Sequence, residues 1–137
     1  MHPKTAELQA RTRKFAAAVI TFCDGLPKDL ATQRIVLQLV DSSGATDSNY
    51  RAACRARSKA EFIAKLGVAL EESDESKGWL ELLVASNRVP LDQVRTLIQE
   101  AEELTSILAK SRITAEQRKR DREQAEGQAR ELKRRTK

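Results

Sequence analysis

The sequence contains a single histidine, His2, among its 137 residues. A di-iron or di-manganese bundle needs Glu-x-x-His pairs on facing helices, and a Ser or Cys nucleophile needs a histidine base. Glycine-rich phosphate loops and dinucleotide-binding fingerprints are missing as well. The acidic run at residues 71–75 supplies carboxylates without imidazole, which is typical of a solvated helix face. We therefore expect no enzyme, no catalytic residue, no metal site and no cofactor.

Aromatic residues, proline and glycine are also scarce. Aromatics make up 4% of the chain, which has three prolines and five glycines. Since Ala, Leu, Glu, Lys and Arg dominate instead, the composition favours long helices over a β-sandwich. No apolar run reaches the roughly 20 residues of a membrane span, and the first residues lack the apolar core of a secretory signal. Cys23 and Cys54 have no metal-type spacing. We expect a soluble, cytoplasmic protein with free thiols and no membrane partner.

Apolar residues recur at helical spacing in four segments. The stripe of the first segment comprises Leu8, Phe15, Val19 and Phe22, and that of the second comprises Leu30, Ile35, Leu37, Leu39 and Val40. The spacing predicts helices over residues 5–24, 28–57, 58–87 and 91–112. Gly25 and Pro27 separate the first pair, with Pro27 suited to the first turn of the second helix, and residues 87–90 separate the last pair. Joined by short turns, these segments predict an all-α fold, an antiparallel up-down-up-down four-helix bundle formed by residues 1–113.

The middle of the second predicted helix contains the poor helix formers DSSGATDS, residues 41–48. They leave two interpretations open: a loop between two helices, or a long helix whose small side chains let a neighbour approach closely. In an antiparallel hairpin centred on residues 57–59, Ser42 and Ser43 would face Ser73 and Asp74. Hydrogen bonds would then cross between two small polar segments, unless most of these side chains face solvent.

The net charge of +5 is unevenly distributed. Residues 1–113 carry a net +1, whereas residues 114–137 carry nine basic and five acidic side chains, a net +4. The apolar stripe is lost in this basic tail, which predicts either an exposed helical extension or a disordered segment. Its cluster of candidate nucleic-acid contacts comprises Arg118, Lys119 and Arg120.

A second basic cluster lies at the junction of the second and third predicted helices. Ser58 and Glu61 form a capping-box pattern there. The basic side chains could contact nucleic acid, or pair with Glu61 or with the acidic run 71–75, within one protomer or between protomers. Aromatic scarcity leaves Tyr50 and Trp79 as the large amphipathic rings for base stacking. The cluster comprises Arg51, Arg55, Arg57 and Lys59.

Residues 48–83, SNYRAACRARSKAEFIAKLGVALEESDESKGWLELL, resemble the bacterial four helix bundle protein family. Founding members of that family are encoded within intervening sequences of the large-subunit ribosomal RNA. The resemblance covers roughly residues 10–112 and implies a continuous second helix and a homopentamer, but no activity. Thr46, Asp47 and Gly78 depart from the family pattern, and we expect them to weaken local packing. The matching motif residues are Asn49, Ser58, Glu61, Phe62, Glu72, Glu75 and Trp79.

Two functions remain open from the sequence. The first is a non-catalytic oligomeric scaffold or adaptor that binds RNA or DNA through its basic residues. The second is a protein-interaction module for a partner encoded at the same locus. A related bundle of that kind is an accessory protein of a retroelement reverse transcriptase, and this likeness is at the level of the fold.

Overall fold

The computed structural model describes residues 1–136, which form four helices and no strand. Each helix packs against its neighbours in the chain, most extensively α2 on α3 and α3 on α4, while α1 packs mainly on α2 and more narrowly on α4. The predicted all-α, antiparallel four-helix bundle is confirmed. The helices are α1 (Pro3–Asp24), α2 (Leu30–Cys54), α3 (Lys59–Ala85) and α4 (Leu91–Arg135).

A single core runs along the bundle axis. In α1 the predicted stripe is buried at Leu8, Phe15 and Val19. In α2 the predicted stripe is only partly buried, because Leu30 and Leu37 are 74% and 63% exposed. The largest fully buried apolar side chains of the other helices are Leu39, Leu66, Leu80, Leu83, Leu104 and Leu108.

The second helix is continuous through residues 41–48, as the resemblance implied. Ser42 meets Ser76 of α3 with 2.8 Å between their hydroxyl oxygens, so small polar side chains do line the α2–α3 seam. The predicted pairing with Ser73 and Asp74 is wrong. The Ser73 hydroxyl lies 2.7 Å from that of Thr105 in α4, and Asp74 is exposed. The observed pair is centred on residue 59, so the register is displaced by two residues from the predicted one, in which Ser42 faced Asp74.

Capping residues set the helix boundaries that the apolar spacing misplaced. Asp29 caps α2 by accepting hydrogen bonds from the Thr32 backbone at 3.2 Å and the Thr32 hydroxyl at 2.7 Å. Pro27 therefore lies before the cap and outside the helix. At the other end of the bundle, Ser58 accepts a 3.0 Å bond from the backbone of Glu61. The Glu61 carboxylate accepts from the backbone of Arg57 at 3.0 Å, one residue before the position that a capping box specifies.

The fourth helix extends well beyond its predicted end at residue 112. It has 45 residues, a length of about 68 Å at 1.5 Å per residue. It lies along α3 as far as Lys119, which lines a small cavity with Ala60 and Ile63. From residue 120 to 136 every residue is exposed except the half-buried Gly127. The basic tail is thus helical over the described residues, and residues 120–136 are termed the C-terminal extension.

Candidate nucleic-acid interface

Two adjoining clefts open at the end of the bundle where α1 begins and α2 ends. The first, of about 680 Å³, lies between α1, α3 and α4, and the second, of about 670 Å³, lies against the α2–α3 turn. Together they are termed the basic cleft. The residues common to both are His2, Thr5, Tyr50, Lys59 and Phe62.

The charged side chains that line the cleft are mostly basic. Glu7 is the one acidic residue on the first part, and the second part has none among the residues described. The predicted contacts Arg57, Lys59 and Arg118 are brought together here from distant parts of the sequence. The basic lining residues of the first part are Lys4, Arg11, Lys59, Lys110 and Arg118, and the second part adds Arg57 and Arg122.

Arg11 differs from the other cations because it already has two carboxylate partners. Its guanidinium donates to Glu100 and, at 2.8 Å, to Glu103, and so ties α1 to α4 along one side of the cleft. The hydrogen bond to Glu100 raises the pKa of Arg11 above its usual value. The cations available to a ligand are therefore those of Lys4, Lys59, Lys110 and Arg118 on the first part.

The floor of the cleft is apolar and partly aromatic. Leu8, Leu66 and Tyr50 are buried beneath it, and Phe62 and Ile107 are half-buried beside them. Burial, followed by the neighbouring Cys54 thiol, raises the pKa of Tyr50 above its usual value, so the phenol is neutral at physiological pH. The cleft therefore combines a cationic rim with an uncharged floor.

Arg51 does not line the cleft but joins α1 to α2. Its Nε donates to Asp47 at 3.1 Å, and its Nη2 donates to the carbonyl of Gln9 at 3.2 Å. Within the chain its partner is thus Asp47 rather than Glu61, because Asp47 lies one helical turn before it. The expectation that Thr46 and Asp47 weaken packing is wrong. Thr46 is fully buried and donates to the Ser42 carbonyl at 2.9 Å, and Asp47 is buried among three donors.

The remaining predicted basic residues face other directions. Arg55 is exposed and forms no ion pair with any residue from 1 to 136. Lys119 lies on the α3 side of α4 and pairs with Glu123 at 3.1 Å. Arg120 shares that side and donates to Gln117 at 2.9 Å. Of the three adjacent basic residues, only Arg118 lines the cleft, since consecutive positions on a helix point in different directions.

Three of the basic side chains that the cleft makes available to a ligand were not predicted from the sequence. Arg122 lies one helical turn after Arg118, a spacing visible in the sequence that could have identified it. Lys4 and Lys110 carry no such signal, because they meet only where the start of α1 packs beside α4. His2 also lines the cleft, and its Nδ1 accepts a 3.1 Å bond from the backbone of Lys4 and so caps α1.

Several motif residues lie away from the cleft, on the outer side of α2 and α3. Trp79 is half-buried and donates its indole N–H to Glu75 at 3.2 Å. Asn49 donates its side-chain amide to the carbonyl of Ala45 at 2.9 Å. Burial, then repulsion from Glu75, Glu71 and Asp41, raises the pKa of Glu72. The surface formed by Asp41, Asn49, Glu72, Glu75 and Trp79 is termed the outer α2–α3 face.

Residues 4–110 match the 23S rRNA-intervening sequence protein family. This match includes nearly all of α1, all of α2 and α3, and α4 as far as Lys110. The chain belongs to the 23S rRNA-intervening sequence protein family. The family resemblance is therefore confirmed. Arg118, Arg122 and the C-terminal extension lie beyond the part of this family member that matches.

A solved structure has the same fold as this 23S rRNA-intervening sequence protein. It is a protein with unknown function from the S23 ribosomal protein family of Bacteroides thetaiotaomicron VPI-5482, determined at 1.70 Å resolution. The two sequences are 26% identical, the match covers 80% of this chain and 97% of that one, and the TM-score is 0.74. No curated protein matches the chain.

Two further features of this family member concern metals and membranes. Over residues 1–136, no group of three or more His, Cys, Asp or Glu side chains is arranged to hold a metal ion. None of the helices in that part of the chain combines the length and the apolar character needed to cross a bilayer.

Proposed function

We propose that this protein is a non-catalytic scaffold that binds nucleic acid at the basic end of its bundle. The supporting observation is the convergence of cations on one cleft. Lys4 of α1, Lys59 of α3, and Lys110 and Arg118 of α4 line it, with Glu7 as the one acidic residue on its first part. Like charges from separate helices repel one another, and a bound polyanion relieves that repulsion while releasing its own counterions.

The C-terminal extension favours a long polyanion over a small anion. Its 17 residues project about 25 Å at 1.5 Å per residue. Arg122 and Lys133 follow Arg118 at spacings that keep them near the side of α4 that lines the cleft. On other sides, basic residues pair with carboxylates, as Lys119 does with Glu123. A strand with regularly spaced phosphates can contact both the cleft and the extension.

The proposal is tested by fluorescence anisotropy with labelled RNA and DNA and the full-length chain. In the test variant, Lys59 and Lys110 are both replaced by Ala. The matched control replaces Lys14 and Arg95, which are exposed and lie away from the cleft. Each lost phosphate contact should reduce the salt slope by about 0.7 to 0.9, so the test variant should bind more weakly and with a flatter slope. Absence of binding by the full-length chain at low salt would overturn the proposed function.

We also propose that the protein forms a closed homo-oligomer through the outer α2–α3 face. The expected state is a pentamer, as the family resemblance implies. The face is acidic at its centre and is flanked by the exposed apolar side chains of Leu37 and Leu82. The exposed Gly44 and Gly78 would let another backbone approach closely. Light scattering at micromolar concentration should return a mass several times that of one chain, and a monomer would contradict this proposal.

The same face supports the second candidate function, a protein-interaction module. If light scattering returns a monomer, the apolar and acidic side chains of the outer α2–α3 face remain available to a different protein. Substitution of Leu37 by Glu separates the candidates, because it should weaken self-association or partner binding while the distant basic cleft keeps its affinity for nucleic acid.

A further inference from the structure

We infer that the basic cleft takes an unpaired nucleotide segment and discriminates single-stranded from double-helical nucleic acid. This inference rests on the proposed function and extends it by specifying the class of ligand. Three properties of the cleft lead to it: its size, the aromatic character of its floor, and the hydroxyl groups on its wall.

The size of the cleft suits a splayed-out nucleotide. At about 680 Å³ the first part falls within the range of pockets that enclose small molecules, about 300 to 1,000 Å³. A double helix keeps its bases stacked inside and presents a phosphate surface. It can therefore reach the rim cations of Lys59 and Lys110 but not the floor. An unpaired strand can turn a base into the cleft while its phosphates remain at the rim.

The floor provides an apolar, aromatic surface, on which a base can stack and from which a phosphate gains nothing. Phe62 is half-buried, so part of its ring faces the cleft, and Leu8 and Tyr50 lie beside it. Bases stack on such rings with little dependence on sequence, whereas a site for bare phosphate would gain nothing from an apolar floor. Phe62 and Lys59 lie within one helical turn of each other at the start of α3. Stacking and charge are therefore presented side by side.

Hydroxyl groups complete the wall of the cleft. Thr5 lines both parts of the cleft together with Tyr50. Ser111 and Thr114 of α4 also line the cleft, and their hydroxyls make no side-chain hydrogen bond within residues 1–136. They can form hydrogen bonds with base edges or with a ribose hydroxyl, the groups that an unpaired nucleotide exposes.

The test compares three labelled ligands with the full-length chain: oligouridine RNA, oligothymidine DNA and a blunt DNA duplex of the same length. Anisotropy titrations at one fixed salt concentration should show single strands binding about tenfold more tightly than the duplex. The RNA and DNA arms show which sugar the site prefers, and tighter binding by either single strand supports the inference. Equal affinity for the duplex and both single strands would overturn it.

A substitution at Phe62 then tests whether the preference for single strands depends on the cleft. Phe62→Leu keeps apolar volume but removes the aromatic face, so it should lower single-strand affinity about five- to tenfold and leave duplex binding unchanged. Phe62→Tyr should retain the preference. The matched control is Phe22→Leu, which removes a half-buried aromatic ring of α1 that lies outside the cleft and should leave the strand preference intact. Wild-type strand preference in folded Phe62→Leu, checked by circular dichroism, would overturn the inference.

The two proposals fail in different ways. If no nucleic acid binds to the full-length chain, the proposed function fails and the inference fails with it. If all three ligands bind equally and the Lys59/Lys110 double variant weakens all of them, the proposed function stands and the inference alone is rejected.

Discussion

The hydroxyl of Thr12 donates a 2.9 Å hydrogen bond to the carboxylate of Asp47, and both residues are buried between α1 and α2. The same carboxylate accepts from Arg13 and Arg51, each at 3.1 Å. This arrangement matters for the site because it fastens α1 to α2, the helix on which it mainly packs, and α1 carries one wall of the basic cleft.

Replacement of Asp47 by Ala should therefore lower the free energy of unfolding by about 1 to 3 kcal/mol, because it removes the carboxylate that the Thr12 hydroxyl and the Arg51 Nε share and leaves both side chains only the Gln9 carbonyl as acceptor. Urea denaturation measures the change. Asp74→Ala is the control, since Asp74 is exposed. A similar small effect of both substitutions would show that the Asp47 cluster contributes little.

The close approach of α2 and α3 at Ser42 and Ser76 can be tested by enlarging a side chain at this contact. Both residues are buried. Ser76→Leu should destabilise the bundle by about 1 to 3 kcal/mol, because the added atoms force the helices apart. Ser42→Ala combined with Ser76→Ala should be nearly neutral, since both members of the pair are removed together. Urea unfolding measures the free energy of unfolding of both variants, and so compares the effect of a larger side chain with that of a lost hydrogen bond. An unchanged stability of Ser76→Leu would contradict the close packing.

The cap of α2 should make stability depend on pH. Hydrogen bonds from the Thr32 hydroxyl and backbone hold the pKa of Asp29 below its usual value. A lowered pKa in the folded state means that the carboxylate stabilises the fold above pH 4, and that this contribution is lost as pH falls through the folded pKa. Asp29→Ala should lower Tm at pH 7 and converge with the wild type in acid. Asp29→Asn should retain a cap at both pH values.

Glu72 should show the opposite pH dependence. Its pKa is raised, first by burial and then by the neighbouring carboxylates of Glu75, Glu71 and Asp41. Between the usual and the raised pKa the folded chain holds more protons than the unfolded chain, so this group makes stability fall as pH rises through that interval. Glu72→Gln should therefore be more stable than the wild type at pH 7 and equal to it below about pH 4. Urea midpoints at the two pH values test this, and a Gln variant less stable at pH 7 would show that Glu72 has a cationic partner.

The two exposed glycines of α2 and α3 should tolerate alanine. A Cβ added at Gly44 or Gly78 would have no atom within 4 Å, so each substitution should gain about 0.5 to 1 kcal/mol from helix propensity. Thermal unfolding of the dissociated chain measures that gain. If the outer α2–α3 face joins copies of the chain, the same methyl groups should weaken assembly in light scattering. Gly127→Ala, in the C-terminal extension, is the control and should change helix content alone.

The fold was predictable because its determinants are local. The apolar stripe of α1 gave the buried residues Leu8, Phe15 and Val19, and Ser58 marked the start of α3. Helix ends that are set by side-chain hydrogen bonds or by an unusual backbone angle were harder to predict from the sequence. Asp29 resembles any surface acid until Thr32 is seen bonded to it, and the end of α3 depends on Asn87 adopting a φ of 60°.

The site was only half predictable because it is a product of packing. Arg57, Lys59 and Arg118 were recognisable from charge density alone, yet charge density also selected Lys119 and Arg120, which face α3. No local pattern in the sequence separates these groups. Whether a side chain on a helix points into the cleft or toward another helix becomes known only when the neighbouring helices are placed. The role of Asp47 was misjudged for the same reason, because two of its three donors, Thr12 and Arg13, come from α1.

The length of α4 has a consequence for how order is distributed along the chain. An isolated helix must first form a costly nucleus, but the packed turns of α4 already provide one for the residues that follow. The C-terminal extension therefore needs only to propagate, and because its side chains are almost all exposed, it can melt from Thr136 backward while the bundle stays intact. Its helix content is a local equilibrium, adjustable by temperature, salt or a bound polyanion, and separate from the cooperative unfolding of the core.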